Sequence, residues 1–111
     1  MRPLLSAEEL DALVARIGEL PTLEIPIEKK RRDVYKSVMA SVDPEQYVRL
    51  IKTVRLRRAL AREKRKQLPE IDNEYDLVAR RCLYTEIALI LGIEQNAVEG
   101  YLRERIGGDA I

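Results

Sequence analysis

Residues 43–66 read DPEQYVRLIKTVRLRRALAREKRK, and this stretch decides the fold. Asp43-Pro44 is a helix start: the Asp side chain caps free amides, and proline fits the first turn because its missing N–H has no helical partner there. Tyr47, Leu50, Ile51, Val54 and Ala61 then fall on one face at helical spacing. Arg49, Lys52 and Leu56 lie away from it, and Arg58 falls on the apolar side, where it must snorkel, pair or meet a partner. The spacing predicts a helix over 44–66, ended by Leu68-Pro69.

The same signals recur on both sides. Upstream, Ser6-Ala7-Glu8-Glu9 has the form of a capping box and opens a helix over 7–17 carrying Leu10, Leu13, Val14 and Ile17. Residues 18–27, with Pro21 and Pro26, form a connector. A helix over 28–41 buries Val34, Tyr35, Val38 and Met39. Downstream, a helix from Asp72 carries Leu77, Val78, Cys82, Leu83, Ile87, Ile90 and Leu91 as an apolar stripe and closes at Gly92, which can take a left-handed cap. The last helix covers 94–106, with Val98, Tyr101 and Leu102 inward and Gly107-Gly108 as its stop. These five segments predict an all-α fold, a compact bundle of five helices in one domain over residues 1–111.

Composition narrows the chemistry. The chain has no Phe, no Trp and no His, and a single cysteine, Cys82. The core must therefore be aliphatic. The usual general base is missing, and an internal disulfide or multi-cysteine zinc site is excluded. No run approaches the roughly 20 apolar residues of a membrane span, and acids at Glu8, Glu9 and Asp11 oppose a signal peptide. The chain reads as cytoplasmic, with no enzymatic activity, no cofactor, no metal and no small-molecule substrate expected. Its carboxylates read as solvated helix faces with intrahelical ion pairs, and Cys82 as a small core residue.

Charge is distributed unevenly under a net +1. Residues 29–66 hold fourteen of the twenty basic residues and four acids, an excess of +10, against −9 for the remainder. No acid interrupts Arg49 to Arg62. Lys29, Lys30, Arg31 and Arg32 crowd a helix start, where each cation opposes the helix dipole at about 0.3–1 kcal/mol. Such a block fits a polyanion, with Lys29, Lys30, Arg31, Arg32, Lys36, Arg49, Lys52 and Arg55 as the candidate phosphate contacts. A solvated face and contact with an acidic protein are the other readings. Without Asn or Gln at that start, contacts would fall on the backbone and carry little sequence information.

The order of segments resembles the C-terminal helical domain of the CarD/CdnL family of bacterial transcription regulators over residues 2–106. The resemblance rests on Arg2-Pro3-Leu4-Leu5-Ser6-x-Glu8-Glu9-Leu10, Tyr35-Lys36-Ser37-Val38-Met39-Ala40-Ser41-Val42-Asp43, Leu50-Ile51-Lys52-Thr53-Val54, and Ala79-x-x-Cys82-Leu83-Tyr84-x-Glu86-Ile87-Ala88-Leu89-x-Leu91-Gly92-Ile93. It implies a domain that touches promoter DNA at the upstream edge of the transcription bubble and helps stabilise the open complex. RNA polymerase holoenzyme would be held by a β-rich N-terminal domain preceding Arg2, with Met1 an added start. The family commonly places a tryptophan before the basic helix start, as a minor-groove wedge. Here the segment is Glu24-Ile25-Pro26-Ile27-Glu28. Ile25 and Ile27 either close the core or serve as a partial wedge, and phosphate contact is the better-supported mechanism. The competing reading is a protein-interaction module docking on polymerase, sigma factor or a second copy.

Overall fold

In the computed structural model, residues 5–106 are described, so Arg2-Pro3-Leu4 and the Gly107-Gly108 stop lie outside them. Five α-helices follow in order: α1 (Ala7–Arg16), α2 (Arg31–Ser41), α3 (Pro44–Glu63), α4 (Glu70–Leu91) and α5 (Gln95–Ile106). A 3₁₀ turn over Glu28–Lys30 precedes α2, and no strand occurs among the described residues. The all-α five-helix bundle predicted from periodicity is the fold observed.

The predicted ends behave as their chemistry dictates. The Ser6 hydroxyl accepts from the Glu9 amide at 3.0 Å, and the Glu9 carboxylate accepts from the Ser6 amide at 2.9 Å. Asp43 accepts from the Glu45 amide at 3.0 Å at the head of α3. Gly92 closes α4 at φ 66°. Val42, which ends α2, takes the same left-handed conformation at φ 53°, an unusual choice for a β-branched residue.

α3 and α4 form the central hairpin, joined by residues 64–69, a length that returns α4 antiparallel to α3. α2 packs on α3, while α5 packs on α4 and α1. Leu10, Ile17, Tyr35, Leu50, Ile51, Ile87 and Val98 are wholly buried between them. Burying a side chain of this size contributes about 1.5–3 kcal/mol.

α4 departs from the reading of its apolar stripe. Its inward positions are Asp72, Asp76, Ala79, Leu83 and Ile87, a row at i+3 and i+4 whose first half is acidic. Leu77, Val78 and Cys82 therefore face outward and are exposed. Three carboxylates expected on solvated faces, Asp72, Asp76 and Glu86, are buried. Their partners explain the rotation. Asp72 and Asp76 meet arginines of α2 and α3, and Glu86 accepts from the Leu5 amide at 3.1 Å. Buried charge is tolerable only when paired in this way.

Candidate nucleic-acid interface

The basic block divides three ways in space. One part turns inward. Arg31 is buried and forks onto Glu28, with Nε to Oε1 at 3.0 Å and Nη2 to Oε2 at 2.6 Å. Its Nη1 donates to the Tyr35 hydroxyl at 3.2 Å and lies 3.9 Å from Asp72 Oδ1. From α3, Arg57 donates to both oxygens of the wholly buried Asp72, at 3.1 and 3.2 Å, and to Glu28 at 3.3 Å. Tyr35 donates to the same Asp72 carboxylate. Arg58 reaches Asn73 at 3.0 Å and Asp76 at 3.4 Å. The acids missing from α3 thus arrive from α4 and from Glu28.

This packing sets the titration of its members. The hydrogen bond from Arg31 holds the Glu28 carboxyl below the usual carboxylate range, and the same contact raises the Arg31 guanidinium. Burial, then the neighbouring Asp72 carboxylate, pushes the Tyr35 phenol up to about 12.

A second part is tied to the connector. Lys52 Nζ donates to the carbonyls of Ile17 at 2.7 Å and Leu20 at 2.6 Å, just beyond the end of α1. Arg49 donates to Pro21 O at 3.2 Å and Thr22 O at 3.4 Å. Between them, Thr53 Oγ1 accepts from the Leu23 amide at 2.7 Å. Arg31, Arg49 and Lys52 were expected as phosphate contacts. The structure instead gives all three intramolecular partners, because the 3₁₀ turn folds Glu28 back onto Arg31 and the connector crosses the outer face of α3.

The third part faces water. Lys29 and Lys30 on the 3₁₀ turn, and Arg32 and Lys36 on α2, are exposed. Just past the end of α3, Lys64 and Lys66 line one recess with Glu28 and Arg57. Arg55 stands apart, lining a different recess between α3, α4 and α5.

The two isoleucines also separate. Ile25 is half-buried and packs against the core. Ile27 does not close the core: it is extended at φ −121° immediately before the 3₁₀ turn and is 55% exposed. An apolar side chain in water thus borders Lys29 and Lys30.

Among the described residues no cluster of His, Cys, Asp and Glu could hold a metal ion, and no helix is long and apolar enough to cross a membrane. No family model, no curated protein and no solved structure matches the chain.

Proposed function

We propose that this domain contacts promoter DNA beside RNA polymerase, gripping backbone phosphates and helping to hold the open complex. The observation that carries the reading is the exposed set Lys29, Lys30, Arg32 and Lys36 at the start of α2, with exposed Ile27 at its edge. Three of these cations crowd a helix start, where they oppose the dipole, and phosphate would relieve that cost. The ordered likeness to the CarD/CdnL helical domain supports the same target. Ile27, rather than Ile25, is the side chain positioned to press on a base step.

The test is fluorescence anisotropy with duplex and forked DNA at several salt concentrations, for the native chain and for a variant with Lys29, Lys30, Arg32 and Lys36 replaced by Ser. Salt-sensitive binding that the variant loses is the expected result. Unchanged binding in the variant would remove this surface from the account.

One observation favours a second reading, a protein-docking module. Leu77, Val78 and Leu89 on α4 are 50%, 45% and 64% exposed, more apolar surface than a solvated helix needs. Retention of polymerase on the immobilised domain after nuclease treatment would support protein contact over DNA contact.

A further inference from the structure

Glu74, Leu77, Val78, Arg81, Cys82 and Leu89 share the outer face of α4, and all are exposed. We propose that this face pairs with the same face of a second copy, the two α4 helices running antiparallel about a two-fold axis beside Leu77 and Val78.

Three observations converge. The first is apolar area. Leu77 and Val78 are neighbours on the helix and Cys82 lies one turn on, so the exposed patch is contiguous, and Glu74 and Arg81 rim it. Scattered apolar side chains in water need no partner, but a contiguous patch with a polar rim marks a contact surface. The second is charge. Glu74 and Arg81 stand two turns apart, about 10.5 Å along the axis, too far to pair within one helix. Neither side chain has an ion pair or a hydrogen bond among the described residues. The third is symmetry. A two-fold interface must be self-complementary, each patch meeting its own copy reversed. Glu74 and Arg81 stand at equal distances on either side of Leu77-Val78. An antiparallel copy centred there sets Leu77 of each chain on Val78 of the other. It also sets Glu74 of each on Arg81 of the other, closing two ion pairs around an apolar centre. A parallel copy would oppose like charges instead. One helix face is smaller than the roughly 1,600 Å² of a standard interface, so the pair dissociates in about the micromolar range. The face contains none of Lys29, Lys30, Arg32 and Lys36, so the inference stands apart from DNA contact. It assigns the face to a second copy rather than to polymerase.

Sedimentation equilibrium of the full chain over about a hundredfold range of concentration tests the pairing. A monomer–dimer equilibrium is expected. Leu77→Ser and Arg81→Glu should each weaken it about tenfold, because the two-fold axis makes every substitution act twice. Combining Glu74→Arg with Arg81→Glu restores opposite charges across the axis and should return the dissociation constant to within about threefold of the native value. Unspecific apolar association would show no such rescue. Circular dichroism of each variant at the lowest concentration establishes that the helices are retained; all three positions are exposed. A chain that stays monomeric throughout would overturn the proposal. So would a dimer indifferent to Leu77→Ser, or a charge-reversed double variant no tighter than Arg81→Glu alone. Polymerase retained by a monomeric chain and lost in Leu77→Ser would also overturn it, and would give the face to polymerase.

Discussion

The Tyr35 phenol donates its hydrogen bond to the carboxylate of Asp72, joining α2 to α4 across 37 residues inside a core that holds neither Phe nor Trp. Both side chains are fully buried, and Arg31 and Arg57 close around the same carboxylate. The link sets a pH dependence with a definite sign. The folded phenol titrates at about 12, above its ordinary value of about 10. The folded state thus holds a proton that the unfolded chain releases first. The stabilisation is fully present below pH about 10 and is lost as pH rises towards about 12. Tyr35→Phe should cost about 1.5–3 kcal/mol at neutral pH, the worth of a hydrogen bond to a charged group. The gap between native chain and variant should shrink above pH 10. Urea melts of both proteins from pH 7 to 11 measure it.

Asp72→Asn removes the charge and leaves the volume nearly unchanged. Arg31 and Arg57 would then face each other, largely buried, with only Glu28 between them. A loss of about 3 kcal/mol is expected, the scale of breaking a buried ion pair from one side. The same substitution at exposed Asp33 should shift stability by less than about 0.5 kcal/mol. Chemical denaturation at pH 7 compares the two.

Val42 holds a left-handed backbone with a β-branched side chain that is 45% exposed, so little packing is at stake. Val42→Gly should relieve strain of about 1–3 kcal/mol and forfeit about 0.5–1 kcal/mol of unfolded-chain entropy. A net gain is expected, read as a higher melting temperature.

The proposed DNA contact predicts a numerical signature. Four exposed cations, Lys29, Lys30, Arg32 and Lys36, would set a log–log salt slope of about −3.6 on duplex DNA, at roughly 0.9 per phosphate contact. Counting Arg31, Arg49, Lys52 and Arg55 as well would double it. Arg49→Ser should leave the slope unchanged and lower stability, because its guanidinium holds the connector. Salt titrations of both proteins separate the two outcomes.

The helices and their caps were legible in the sequence because capping and periodicity are local. Ser6, Asp43, Pro44 and Gly92 act within one turn of where they sit, and Leu10, Leu13, Val14 and Ile17 recur at the helical period. What escaped was pairing at a distance. The face of α4 was misplaced because Leu77, Val78 and Cys82 outweigh Asp72 and Asp76 on any hydrophobic wheel. The acidic side is inward only because Arg57 and Arg58 await it on α3. A signal was present: two adjacent arginines, then two acids four residues apart across a short break, is the pattern of a charged seam in a helical hairpin. The recess between α3, α4 and α5 was hidden for the same reason. Arg80 and Arg103 lie far along the chain from Arg55, Arg58 and Arg62, and only folding brings them together.

That seam also restricts how the two longest helices can slide. Aliphatic ridges of Leu, Ile and Val tolerate a shift of one turn, about 5.4 Å, because one methyl group resembles another. Carboxylates do not. Moving α4 by a turn against α3 would bring Asp76 to the place of Asp72 and Ala79 to the place of Asp76, leaving Arg58 facing a methyl group and Asp72 without its arginine. In a core whose only aromatic residues are tyrosines, the ion pairs act as a ratchet with a single tooth engaged, giving an oily hairpin one permitted setting.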